Sequence, residues 1–415
     1  MKATSLALDH LLRAVGDPIA ELRDIGPGHA EFERAQIIRA GAGVLAKSPD
    51  AFPAIGQAIR ATEHLALAPE TRAHLEAAQA WLFGEPVRAA ESYAGILEKW
   101  PRDLLALRLV QSCYFFLGWH DRFFPVIDAV MPAWTRDRNG FEFVLTMAAF
   151  AHAENGDAAY AEVLGRKALA NDPACPMGVH AVAHALAESG RHFEGAQWMR
   201  AQRDHWAGES RMRTHNAWHL AMFDAEQGNV ASALRILDEW LLPASAQSHL
   251  DACDATALLW RLGTDVVDDA GRWRKVSDAF EHTSTPGFWP YVDLHAALAH
   301  LAAGERMRAR RLVQAIDQCA QGAGHAARRA RRITQPGLRA LAAWAEGRYG
   351  EAAALFARLQ PRLGDAGGSR VQLEVFSSVE REALRRQRAR QHDRLQPPST
   401  ALQARPRFSA ELIPI

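Results

Sequence analysis

The sequence predicts an all-α fold, a right-handed α-solenoid of stacked helix-turn-helix repeats. Three observations lead there. Glycines recur at near-constant steps: Gly84, Gly118, Gly156, Gly190 and Gly228 stand 34, 38, 34 and 38 residues apart. A small residue follows most of them five positions later, as Ala89, Ala161, Gly195 and Ala233, then Ala309 after Gly304 and Ala352 after Gly347. Between these marks apolar residues repeat at helical spacing, and strand-forming runs are scarce.

Each mark has a physical reason. Glycine ends the first helix of a pair at a tight turn. The small residue lets the second helix approach the first closely; Phe123, five after Gly118, is the exception. A later proline, such as Pro101, Pro132, Pro173 or Pro243, is expected to stop the second helix. The step of 76 residues from Gly228 to Gly304 is two units, with Gly263 as the missing marker, and Gly347 follows 43 residues later. A unit near 34 residues with this grammar is the tetratricopeptide-like signature, and about eight such units are expected.

In chain order, residues 1–68 are helical but lack the grammar and are interrupted at Pro18, Gly26, Pro27 and Gly28. They are expected to cap the first repeat. Residues 69–370 form the array. Within it, the stretch from Gly263 to Lys275 and that from His282 to Pro290 read as insertions or loops. A C-terminal helix is expected over 371–394, and its cluster Arg385, Arg386, Arg388 and Arg390 reads as a solvated basic helix end. The segment 395–415, with Pro397, Pro398, Pro406 and Pro414, is expected to be disordered.

Bulk properties exclude several classes. A chain of 415 residues with 48% hydrophobic and 23% charged residues is ordinary for a globular protein. The formal net charge is zero, so no global field steers it to nucleic acid or membrane. The four cysteines lack metal-finger or redox spacing, which fits a reducing, cytoplasmic setting. The first residues do not read as a signal peptide. There is no phosphate-binding glycine loop, nucleophile elbow or H-E-x-x-H motif.

The chemistry concentrates between Gly178 and Leu220, which holds six of the 18 histidines. His180 with His184, and His215 with His219, are pairs at i, i+4, so each pair shares one helical face. Two phrases here, "HAVAHALAESGRHFEG" and "HNAWHLAMFDAEQGNVASALRILD", resemble the tetratricopeptide repeat protein 38 family. "DATALLWRL", "GRW" and "FVLTMAAFAHAENGDAAYAE" extend the resemblance across roughly residues 70–390. Ala217 departs from the aromatic residue expected beside Trp218. The resemblance implies architecture and candidate positions, with no settled reaction.

By resemblance to ordinary tetratricopeptide repeats, positions 2, 5 and 9 of each first helix face the concave groove. Setting each turn glycine at position 15 puts His180 and His184 at 5 and 9. His215, Trp218 and His219 fall at 2, 5 and 6, and Asp254 and His295 at 6 of their own repeats. These residues are therefore expected on one inner face. Three readings follow. The four histidines, with Asp254, could ligate a divalent transition metal ion, zinc, iron or manganese. They could act as acid–base catalysts, with Asn216 orienting a substrate and Trp218 stacking on it. They could form a polar network that binds a protein or peptide segment, or a small molecule, in the groove, or that simply fixes helix packing. Tyr291 and His295 open a further groove helix, and Trp289 lies beside it. Arg261 is expected to pair with Asp254 or to anchor a substrate carboxylate. An enzyme calls for a closed, deep pocket, a partner-binding array for an open groove.

Overall fold

The computed structural model describes residues 2–263 and 270–395 of the chain. Among the described residues there is no β-strand; one isolated bridge joins Val15 to Ser210. Three helices precede the array: α1 (Ala3–Arg13), α2 (Phe32–Ala46) and α3 (Phe52–Arg60). Eight antiparallel hairpins follow. They are α4 (Pro69–Leu82) with α5 (Pro86–Lys99), α6 (Leu104–Leu117) with α7 (His120–Val130), α8 (Phe141–Glu154) with α9 (Ala158–Asn171), and α10 (Pro176–Glu188) with α11 (His192–Ala201). After the short α12 (Arg203–Trp206), α13 (Arg213–Glu226) pairs with α14 (Val230–Ile236) and its continuation α15 (Leu242–Ser245). Next, α16 (His249–Leu262) pairs with α17 (Ala270–Thr283), and α18 (Pro290–Ala302) with α19 (Arg306–Gln321). Finally α20 (Gly324–Arg329) leads into α21 (Gln335–Ala345), which pairs with α22 (Tyr349–Leu363), and α23 (Arg370–Leu395) closes the described chain. The fold is thus an all-α solenoid of helical repeats.

The local grammar explains these elements. Prolines open α4, α5, α10 and α18, where a missing N–H costs nothing. The Asp103, Asp157 and Ser248 side chains accept backbone N–H bonds at the starts of α6, α9 and α16. All eight marker glycines, Gly263 included, have positive φ at the turn between paired helices. The small residues behave as required: a Cβ on Gly195 would lie 2.5 Å from the Phe223 ring. Two expectations need correction. Residues 270–283 are helical, so the segment read as a loop from Gly263 to Lys275 contains the start of α17. Pro243 does not stop a helix: a π-helical turn over Leu237–Leu241 absorbs its missing donor and the chain continues into α15. The expected disordered tail beyond Leu395 lies outside the described residues.

The array closes on itself. The N-terminal segment does more than cover the first repeat: Arg13 pairs with Asp172 at the end of α9, and Arg211, just before α13, donates to the Val15 and Gly16 carbonyls. Phe52 of α3 meets Phe288 before α18, with ring centroids 6.0 Å apart. From the other end, residues 364–372 enter the hollow. The Gly368 N–H donates to the Phe115 carbonyl (3.1 Å), and the Arg329 guanidinium donates to the Phe116 and Ala366 carbonyls at 2.8 and 3.0 Å. Helix α23 packs on α10, α16 and α22. The first helices α6, α8, α10, α13, α16 and α18 are therefore buried on almost every side. No helix is long and apolar enough to cross a membrane among the described residues.

Closure depends on one tight approach. Gly118 has φ 76°, and a Cβ there would stand 1.8 Å from the Gly364 carbonyl oxygen. Gly84 has φ 73° with nothing within 4 Å. The Gly84→Ala change is expected to cost about 1 kcal/mol, the backbone term alone. The Gly118→Ala change is expected to cost roughly 2–4 kcal/mol, because it adds a backbone clash. Urea unfolding of both variants checks this, and equal midpoints would contradict the closure.

Candidate functional site

Helices α10 and α13 lie side by side, and each offers its histidine pair to the same point. The Nε2 atoms of His180 and His184 are 3.0 Å apart, and those of His180 and His215 are 3.1 Å apart. With His219 added, one nitrogen from each of the four rings lies within 4.8 Å of all the others. Three of the four rings are buried, His219 at 0% exposed, His184 at 1% and His180 at 7%, and His215 is half-buried. The rings pack edge to face, at centroid distances of 4.5–5.1 Å.

Two carboxylates hold the cluster from outside. The His215 Nδ1 lies 2.6 Å from Asp254 Oδ2, and Asp254 Oδ1 accepts a bond from the Gln372 amide at 3.2 Å. The His184 Nδ1 faces the buried Glu154 at 3.5 Å, long for a hydrogen bond but close for a charge pair. Glu154 also accepts the Arg370 backbone N–H at 2.9 Å and faces His120 Nε2 at 3.6 Å. His120 in turn lies 2.7 Å from the Gly368 carbonyl oxygen. The inserted C-terminal segment thus supplies second partners to both carboxylates.

The electrostatics follow from this placement. Burial, with the neighbouring imidazoles, pushes His180 and His219 well below the usual histidine value. Burial also lowers His184, against the pull of Glu154. His215 is raised: burial lowers it, but the Asp254 charge and hydrogen bond outweigh that. Glu154 is held below the ordinary carboxylate range because His120, His184 and the Arg370 amide outweigh its burial. Proton placement is then constrained. The Asp254 hydrogen bond draws a proton to the His215 Nδ1, and the Glu154 charge favours one on the His184 Nδ1. His180, between them, carries one N–H at Nε2 at most and can satisfy only one neighbour. Both nitrogens of His219 lack any hydrogen-bond partner among the described residues.

Beside the imidazoles lies a cavity of about 220 Å³, below the roughly 300–1,000 Å³ of drug-sized sites. His180, His184, His215 and Asp254 line it, and His219 lies behind them. The other singled-out residues are not on its wall. Asn216 is buried and donates to the Pro176 carbonyl (3.3 Å), locking α13 to α10. Trp218 is fully buried and stacks on His215 at 5.2 Å. Tyr291 and His295 form a separate buried pair, 4.4 Å between centroids, packed under Gly368 and against Phe376. Trp289 packs on Phe115, Phe116 and Gly367. Asp254 reaches the site through the Nδ1 side of His215 and is not among the four converging ligand atoms. Arg261 does not pair with Asp254: it bonds Glu226 at 3.0 Å and the Val371 carbonyl, both nearer the end of its helix.

Several wall residues were not singled out from the sequence. Arg108 and Ser112 line the cavity, as do Thr146 and Phe150. All four stand at positions 5 and 9 of their repeats in the same register, so extending it beyond the histidine-bearing hairpins finds them. Lys47, Glu154 and Gln372 carry no such signal. Lys47 ends α2 and reaches the cavity through the folding of the cap; Glu154 and Gln372 matter only through helix packing.

No family model matches the chain. Among solved structures the chain is similar to a monomeric IFIT1 mutant with Gppp-AAAA (13% identity over 94% of this chain and 87% of that one, TM-score 0.45). It is also similar to yeast Tom70 (10% identity, 95% and 88% covered, TM-score 0.45). A third likeness is to a Rap protein complexed with competence and sporulation factor (11% identity, 93% and 100% covered, TM-score 0.44). Likenesses this distant carry no weight for function, and the solenoid assignment stands on the helices themselves.

Removing the Glu154 carboxylate strips the Arg370 amide and two imidazoles of their anion. The Glu154→Ala change is expected to lower stability by roughly 2–4 kcal/mol, and Glu154→Gln by less. Urea midpoints test this, and a near-neutral Glu154→Ala would contradict the buried network.

Proposed function

We propose that His180, His184, His215 and His219 hold one divalent transition metal ion, and that the protein binds or converts a small molecule in the adjoining cavity. The carrying observation is that one nitrogen from each of four imidazoles, three of them buried, converges within 4.8 Å of the others. Crowded imidazole nitrogens, with three of the four rings buried and neither nitrogen of His219 paired among the described residues, are costly to leave unsatisfied, and a cation at their centre would coordinate them. Nitrogens on a tetrahedral ion stand about 3.3 Å apart, given metal–nitrogen bonds near 2.05 Å; two pairs stand at 3.0 and 3.1 Å, and the set of four, spread within 4.8 Å, would close further around an ion. Carboxylates at Nδ1 orient and strengthen such ligands. An all-imidazole set favours zinc or iron over manganese, which prefers oxygen. When bound, such an ion would supply Lewis acidity or an activated water only at a coordination position the imidazoles leave open, and with all four bound it would hold the helices together instead.

The closed interior supports a small ligand over an extended peptide, because residues 364–372 already fill the hollow that a peptide would need. The relation to the tetratricopeptide repeat protein 38 family is likewise our proposal, resting on the two histidine phrases.

Protein purified without an affinity tag is expected to carry about one equivalent of zinc or iron by elemental analysis. Less than about a tenth of an equivalent, unrestored by added metal, would remove the metal reading. The Asp254→Asn change is expected to weaken metal affinity by roughly 10–100-fold while the helices stay folded; competition with a chelating dye measures it.

A further inference from the structure

The cavity wall carries three cations that form no ion pair among the described residues. Lys47 comes from the end of α2, Arg108 from α6, and Arg211 from the exposed rim before α13. Lys47 is 8% exposed, and its ammonium donates to the Leu45 carbonyl at 3.1 Å. Arg108 bonds the Gln111 amide oxygen, and Arg211 bonds the His10, Val15 and Gly16 carbonyls. Among the described residues none of the three has a carboxylate at ion-pair distance, whereas Arg191, Arg272 and Arg348 on the surface each do. The three sit close enough to disfavour one another. Burial and then Arg108 bring Lys47 down to about 7, and burial and then Arg211 bring Arg108 down to about 10. Asp17 offsets part of the burial of Arg211. Two acids share the wall: Asp254, already bonded to His215 and Gln372, and Asp251, which burial and Asp254 push up to about 6.

The backbone at Lys47 bears on the choice of test substitution. It is left-handed, with φ 48°, a conformation that suits glycine and that side chains adopt at a cost. Helix α2 ends there without a glycine. Ala14 ends α1 in the same conformation, with φ 59°, so what sets Lys47 apart is that its cap side chain reaches the cavity wall.

We propose that the cavity takes a small organic anion. Its carboxylate or phosphate oxygens meet Lys47, Arg108 and Arg211, and its apolar body lies on Phe115, Phe150 and Met177 beside the imidazoles. This rests on the cavity being the ligand site proposed above, and it names the class of ligand. A guanidinium and an ammonium without internal counter-ions suit such an anion.

Calorimetric titration of the full chain with phenylacetate, phenyl phosphate and the neutral phenylacetamide tests it, with metal content measured on the same samples. One or both anions are expected to bind at one site with a sub-millimolar Kd, and the amide at least about tenfold more weakly. Whichever acid binds more tightly identifies the anionic group. The Arg108→Met and Lys47→Gly changes are each expected to weaken the anion at least about tenfold with metal content unchanged. The Lys47→Gly change is also expected to keep or raise Tm, since glycine relieves the left-handed backbone, so its loss of binding is not a folding defect. Equal binding of amide and acids, or binding unaffected by both substitutions, would overturn the inference. So would metal at full content with neither anion bound, while the metal centre would stand. Anion binding by a metal-free protein would keep the inference and discard the metal.

Discussion

The fold depends on how a solenoid disposes of its hollow. Stacked hairpins bury one face of each inner helix against its partner and leave the other toward the axis. Here residues 364–372 enter that hollow, and the N-terminal segment packs against the array from outside it. The C-terminal segment enters at Gly118, where only a glycine lets the Gly364 carbonyl pass. From there it hands a backbone N–H to Glu154, a carbonyl to His120 and an amide to Asp254. The same insertion that closes the core therefore sets the partners of both carboxylates behind the histidines. Packing and site are one constraint.

That constraint gives the cluster its character. Exposed imidazoles at these positions would be hydrated and unremarkable. Sealed ones must be satisfied by one another, by carboxylates or by a cation. Asp254 and Glu154 serve the outer nitrogens of His215 and His184 and leave the inner ones converging. Nothing among the described residues serves His219. The cavity next to this group departs from the surface in the same way, since among the described residues its cations have no carboxylate at the ion-pair distance that surface arginines find.

Much of this was legible in the sequence, for reasons tied to particular residues. The turn glycines announce the hairpins because a left-handed turn residue has few substitutes, and Gly263 was locatable by period alone. The histidine pairs were legible because i, i+4 spacing is local, and their meeting followed from repeat register. Asp254 fell at an inner position by the same count. What was not legible arises from contacts distant in sequence. Lys47 belongs to a segment without repeat grammar, and the return of residues 364–372 leaves no periodic trace. Tyr291 and His295 occupy inner positions yet pack into a separate buried pair, because register gives direction toward the axis and not depth along it. Pro243 misled because a π-helical turn can absorb a missing donor that would otherwise end a helix.

The central claim is that four imidazoles on α10 and α13 surround a cation. Anomalous diffraction from crystals of untagged protein, collected above and below the zinc and iron edges, tests it most directly. The account predicts one peak inside the ring of His180, His184, His215 and His219, about 2.0–2.2 Å from its nitrogen ligands. A peak-free cluster in protein soaked with either metal, with the four rings joined by ordered water instead, would contradict it.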